Sequence, residues 1–242
     1  MSEAVGHLYT RSAAFYDAVY AGRRDHLAEA ARLHAEIEAA RRGGGNALLD
    51  VACGTGAHLQ HLAVWYAVAG LDASPDMLAV ARRRLPDAPF HHGDLAAFDL
   101  GRRVGAVVCL GSSVAYARTL PRLRQAIRAM ADHVEDGGVV VVEPWFAPDD
   151  WEDGQLAADL SDGPDVKVAR VLVSGLAAPT VSALDIHHLV ATRDGIESFA
   201  ERHEMGLFTA EEHLAAFADA GLAARHDPIG LIGRGLYVAV KG

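Results

Sequence analysis

Asp50, Gly54 and Gly56, in the run LLDVACGTGAHL from Leu48 to Leu59, have the types and spacing to hold a ligand by its charge. Two glycines after an apolar run permit a tight turn in which a ligand meets bare backbone. A dinucleotide is one occupant of such turns, with its pyrophosphate on the N-terminus of the next helix and a G-x-G-x-x-G fingerprint. Here Leu59 stands where the third glycine belongs. A carboxylate at Asp50, ending the strand, repels a pyrophosphate and attracts a cation. Two further acids extend the pattern. Asp72, in GLDAS, follows the turn by about twenty residues, the separation at which an acid bridges ribose hydroxyls. Asp94, in HHGDLAAF, ends a third strand, where it can accept from the exocyclic amine of adenine. Ammonium, ribose and adenine, in that order, describe S-adenosylmethionine, whose positive sulfur suits an acidic cleft.

Three carboxylates meet in one crevice when they end neighbouring strands of a parallel sheet, at its topological switch point. The rest of the chain predicts that frame. ALLDVA, VWYAVAGLD, PFHHGD, VGAVVCLGS and EDGGVVVVEP read as strands, the last entered by a hairpin-like turn. Helices are expected over 8–20, 25–42, about 56–64, SPDMLAVARRRLP and roughly 121–134, with Ser74 as an N-cap and Pro75 at the first helical position. Near-continuous apolar strands alternating with helices predict a parallel sheet covered on both faces. Between Val166 and Phe208 polar and apolar residues alternate without helices, which predicts an inserted antiparallel sheet. TAEEHLAAFADAG then restores a helix, with Thr209 and Glu212 as a capping box and Gly221 closing it; LAARHDP and GRGLYVAVKG end the chain as strands.

Composition excludes several classes. At 242 residues, 51% hydrophobic, the chain suits a single domain with one embellishment, and a net charge of −10 without a basic stripe argues against nucleic acid. The N-terminus lacks a basic segment ahead of an apolar core, and runs such as Val139–Val142 are too short to span a bilayer. Cys53 and Cys109 offer no disulfide framework, so a cytoplasmic protein is expected. His58 and His61, three apart on a helix, have no acidic or cysteine partner nearby in sequence, and no metal is expected.

LLDVACGTG, GLDASPDML, HHGDLAAF, GGVVVVEPW and GLYVAV together resemble class I S-adenosylmethionine-dependent methyltransferases. FYDAVYAGRRDH, SSVAY, VVVVEPWF, LFTAEEHLAAFADAGL and GRGLYVAV resemble, more narrowly, the actinobacterial N,N-dimethyltransferases of nucleotide-linked amino-sugars, over nearly the whole chain. The resemblance implies an α/β, Rossmann-like seven-stranded sheet with an antiparallel last strand. It also implies an N-terminal helical lid (1–42), an inserted antiparallel β cap (166–208) and a homodimer. It implies that Ala52, Cys53, Ala73, Met77, Leu95 and Leu110 complete the cofactor set of Asp50, Gly54, Gly56, Asp72 and Asp94, with Cys53 as a small residue against the cofactor.

For catalysis the resemblance points to Tyr16 on the lid, Tyr116 after the fourth strand and His203 in ERHEMGLF of the inserted sheet. Trp145 and Phe146 would wall the acceptor pocket. Where the family carries an arginine-containing segment for a diphosphate, Leu172 to Thr180 is uncharged, leaving Arg170 and Arg234 as candidate anion ligands. His187 and His188 point to opposite faces of one strand, so at most one faces the pocket. The expected reaction is methyl transfer to a small-molecule amine, an amino-sugar in natural-product biosynthesis, with S-adenosylhomocysteine as product. Two alternatives stand beside it: O-methylation with His203 as base, and a protein that holds the cofactor while doing other chemistry.

Overall fold

The computed structural model describes residues 12–20 and 23–242. Two sheets organise it. The larger has seven strands, made of β1 (Ala47–Val51), β2 (Ala67–Asp72), β3 (Phe90–His92), β4 (Val104–Cys109) and β5 (Val134–Val142) with two late strands. The smaller is an antiparallel sheet of β6 (Leu156–Asp162), β7 (Lys167–Ala178), β8 (Val181–Thr192) and β9 (Gly195–Gly206). The late strands are β10 (Leu222–Asp227) and β11 (Leu236–Lys241).

The larger sheet runs β10-β11-β5-β4-β1-β2-β3, all parallel except β11, which pairs antiparallel with both neighbours. From β1 the chain steps outward to β3 and then returns to β4 on the other side. The strand order therefore reverses between β1 and β4, and a crevice opens above their C-terminal ends. Alternation along β1 sends Leu48 to one face and Leu49 to the other. Helices α2 (His26–Ala40), α3 (Ala57–Leu62) and α4 (Pro75–Arg84) bury Leu33, Ile37, Leu59, Leu62 and Leu78 on the first face. Helices α5 (Leu120–Asp132) and α6 (Ala210–Asp219) bury Leu123, Ile127, Met130 and Phe217 on the second. The caps follow the sequence. The amide of Met77 donates to Ser74 Oγ, Thr209 and Glu212 form the capping box, and Gly221 follows α6 at φ +78°.

Three boundaries differ from expectation. The second sheet begins at Leu156, one strand ahead of residue 166. The stretch expected as a hairpin-like turn belongs to β5, whose parallel pairing with β4 shifts register between Val104 and Ala106. The expected helix over 8–20 lies partly outside the described residues; within them the chain forms a 3-10 turn (Ser12–Ala14) and the short helix α1 (Tyr16–Tyr20). Val19 of α1 packs with Val168, Val190 and Phe199 on the inner face of the second sheet. Among the described residues no helix is long and apolar enough to cross a membrane.

Candidate active site

β1 ends at Val51, and Ala52, Gly54 and Gly56 all take positive φ, at 61°, 54° and 73°. A Cβ on Gly54 would meet nothing within 4 Å, so this turn leaves backbone open toward the cleft. Ala52 holds a left-handed conformation that costs an L residue free energy, a strain that collects at ligand sites. Asp72, at the end of β2, accepts from the amide of Gly54 on Oδ2 and from that of Ser74 on Oδ1, both at 2.8 Å. One carboxylate thus ties the glycine turn to the start of α4. Burial raises its pKa against these bonds.

Asp50 is 2% exposed, and its Oδ1 is buried with no hydrogen-bond partner among the described residues. Burial, with the charge of Asp72 added, pushes its pKa well above the usual carboxylate range. A buried carboxylate oxygen without a donor is what an arriving ammonium would satisfy. Leu110, Cys53, Ala52 and Gly54 line the cleft beside Asp50, while Leu71, Asp72, Ala73, Met77 and Leu95 line its continuation. Burial also raises the pKa of Cys53, which keeps it a neutral thiol rather than a nucleophile.

Asp94 stands in an ion pair. Arg122 bridges both its carboxylate oxygens at 2.7 and 2.9 Å, and the pair lines a neighbouring cavity, not the cleft. Gly93 and Leu95, its two neighbours in the chain, line the cleft.

A second chamber of about 480 Å³ lies between the crevice and the inner face of the second sheet. Tyr16 and Tyr116 line both the cofactor cleft and this chamber, so they form the partition between them. His203, 5% exposed on β9, also lines the chamber, with its Nδ1 2.7 Å from the Tyr116 hydroxyl. The three residues expected to be catalytic thus share one wall. His188 is buried against Phe199 while His187 on the other face is exposed.

At the far end of the chamber Trp145 and Phe146 meet edge to face at 4.7 Å, and Trp151 completes an aromatic corner. The Arg234 guanidinium lies over both rings, 4.6 Å from the Trp145 centroid. Burial, its largest influence, lowers the Arg234 pKa. Arg170 has a different situation. Asp159 binds it at 2.9 Å and also pairs with Arg23, so two guanidinium groups share one carboxylate.

Sequence reasoning missed a buried ionic cluster at the base of this chamber. Arg24 donates to Glu29 and to Glu143, a residue with no exposed surface, and His58 Nε2 lies 2.8 Å from Glu29. Burial works against the charge of Glu29, yet His58 and Arg24 hold its pKa down to about 2. Arg24 is in the quoted FYDAVYAGRRDH, but its partner Glu143 lies 119 residues away, a pairing no local pattern signals.

A methyltransferase-domain family profile matches residues 48–138. The chain is 43% identical over 228 residues to the dTDP-3-amino-3,4,6-trideoxy-alpha-D-glucopyranose N,N-dimethyltransferase of Streptomyces venezuelae, covering 93% of this chain and 95% of that one. It is 44% identical over 235 residues to the dTDP-3-amino-3,6-dideoxy-alpha-D-glucopyranose N,N-dimethyltransferase of Streptomyces fradiae, covering 95% of this chain and 91% of the relative. The chain belongs to the amino-sugar N,N-dimethyltransferase family. The crystal structure of DesVI from Streptomyces venezuelae superposes with a TM-score of 0.91 at 41% identity, covering 96% of the methyltransferase and 99% of that chain. An amino pentose methyltransferase from Micromonospora echinaspora, solved with S-adenosylmethionine bound, matches with a TM-score of 0.84 at 41% identity, covering 94% and 96%. The methyltransferase therefore uses S-adenosylmethionine and transfers its methyl group to a small-molecule amine. The dinucleotide and O-methylation readings fall away.

Proposed function

We propose that the acceptor is the amino group of a nucleotide-linked deoxyamino-sugar, seated in the chamber with its amine against the Tyr16–Tyr116 partition. The observation that carries this reading is the partition itself: two tyrosines bound both the cleft and the chamber, so an acceptor in the chamber would lie next to the cofactor. Asp50 would take the ammonium of the cofactor and Asp72 its ribose hydroxyls, with Met77 and Leu95 against the adenine and Leu110 beside the methionine arm. The bound cofactor supplies a methyl group already activated on a positive sulfur. The protein's task is to bring a neutral amine into line, and positioning provides much of the rate.

The diphosphate would lie toward Arg234, whose guanidinium forms no ion pair among the described residues. The Arg23–Arg170 pair offers a second cationic point, since Asp159 neutralises only one of its two charges. Residues of the N-terminal segment would act as a lid. Asp17 on α1 accepts from Thr55 and pairs with Arg84 on the cofactor side, while the Ala18 carbonyl accepts from Ser161 on the other. The two buried free thiols suit a cytoplasmic enzyme.

A homodimer fits the outer face of the second sheet. Leu156, Leu160, Val171, Val173 and Leu189 form a broad apolar patch there, with Leu156 82% and Leu160 71% exposed. An apolar face of this breadth is what a second copy would cover.

The test is direct. Labelled S-adenosylmethionine is mixed with the enzyme and a panel of nucleotide-linked amino-sugars, free amino-sugars and hydroxyl analogues, and S-adenosylhomocysteine is measured. Turnover of the nucleotide-linked amines above the free sugars supports the reading. Preference for the free sugars removes the diphosphate, and turnover of hydroxyl analogues alone removes the amine.

A further inference from the structure

Glu201 is absent from the sequence-derived site, yet it holds the chamber wall together. It stands on β9 two residues before His203, so both side chains project from the same face of the sheet. Its Oε2 lies 3.6 Å from His203 Nε2 and 3.6 Å from His188 Nε2. Its Oε1 accepts from the hydroxyl of Ser12, at 2.7 Å. Burial disfavours the charge, but His188, His203 and Ser12 outweigh it and hold the Glu201 pKa well below the usual range. The group is an anion wedged between two imidazoles and a hydroxyl.

We infer that Glu201 is the positioning residue for proton removal from the acceptor amine, acting through His203 on Tyr116. An anion beside Nε2 favours the tautomer that carries its hydrogen there. Nδ1 is then an acceptor, and the Tyr116 hydroxyl donates to it across the 2.7 Å contact. A phenol that donates its hydrogen still has acceptor lone pairs, and Tyr116 lines the partition that the amine faces. The step balances without any further reagent. An N–H proton of the substrate ammonium passes to the Tyr116 oxygen as the tyrosine's own proton passes to His203 Nδ1. A neutral amine with its lone pair, an intact phenol and an imidazolium beside the Glu201 carboxylate result. The imidazolium releases its proton to solvent before the next cycle. Ser12, on the segment that leads into α1, adds the donor that ties the anion to the same segment that carries Tyr16.

This inference rests on the proposed amine acceptor, and its test separates the two. In the full-length protein without substrate, the ring nitrogens of His203 are read by two-bond proton–nitrogen correlation over a pH series, at the pH where the spectrum itself reports a neutral ring. The expected spectrum has hydrogen on Nε2. Hydrogen on Nδ1 overturns the assignment, whatever the acceptor proves to be. In turnover, Glu201→Gln is expected to lower kcat roughly tenfold, a fraction of what a full general base contributes, with the acceptor KM and the cofactor Kd within twofold. Tyr116→Phe should lower kcat similarly, and the double variant should be no slower than Tyr116→Phe alone, because one path is cut once. Multiplying losses would mean that Glu201 acts on the fold and not through Tyr116, and would overturn the proposal. If Glu201→Gln does not fold, the tautomer of the wild-type ring still decides. If no amino-sugar is turned over, the proposed substrate fails while the tautomer measurement stands.

Discussion

Replacing Asp50 by Asn should make the free enzyme sturdier and the loaded enzyme weaker, two opposite effects from one atom. Asp50 Oδ1 is buried without a partner among the described residues, and its pKa is raised first by burial and then by the charge of Asp72. A folded pKa above the unfolded one means that the folded protein holds that proton more tightly. Stability therefore declines as pH rises from the unfolded value through the folded one. Asn removes this titration while keeping the shape. Each 1 kcal/mol or so of such relief would raise Tm by about 2–4 °C in a chain of this size. Binding moves the other way. Loss of one charged hydrogen bond, about 1.5–3 kcal/mol, weakens the cofactor roughly 10–150-fold. Calorimetry gives the affinity, and thermal unfolding with and without S-adenosylmethionine gives both stabilities. A variant whose cofactor affinity stays within threefold of wild type would refute the role given to Asp50. A lower Tm without ligand would refute the reading of its burial as a cost.

Three further outcomes are expected. His203→Ala should retain measurable turnover at about pH 8, slowed by less than about a hundredfold, because the ring assists deprotonation but does not form the new bond; complete loss with cofactor affinity intact would refute this. Leu160→Lys with Val171→Lys should yield a monomer in light scattering and leave cofactor affinity unchanged, whereas an unaltered mass would move the dimer contact elsewhere. Burial holds the pKa of both His26 and His213 down to about 4, so unfolded chains take up protons that the folded protein refuses. Tm should fall as pH drops from about 6.5 toward 4, and His213→Gln should flatten part of that slope.

Local signals carried the parts of the structure whose causes are local. The glycine turn, the Ser74 cap and the Thr209–Glu212 box each lie within a few residues of their partners, and the structure has them where the residues implied. Near-continuous apolar strands alternating with helices were enough for the parallel sheet. What escaped was decided across the sheets. Strand β6, LAADLSD, carries two acids and three small residues, and its strand character comes from pairing with β7 rather than from its own composition. Asp94 and Arg170 read as ligands because their types and places suited it. Each also has a partner that no local pattern signals: Arg122, 28 residues from Asp94, and Asp159, 11 residues from Arg170. Glu201 could have been found: it lies two residues from His203 on an expected strand, and that spacing puts both on one face.

The short helix α1 is fastened on two sides, by Asp17 to Thr55 and Arg84 over the cofactor cleft and by Ala18 to Ser161 over the chamber. An acceptor that takes two methyl groups needs two molecules of cofactor, and with α1 as the lid proposed above, the spent one would leave from beneath it. If the fastening at Asp17 opens while that at Ser161 holds, the half-finished sugar waits in place and emerges dimethylated. If both open together, it escapes and competes with fresh substrate for re-entry. The ratio of singly to doubly methylated product early in a reaction is thus a clock on a five-residue helix, set by the relative strength of its two moorings.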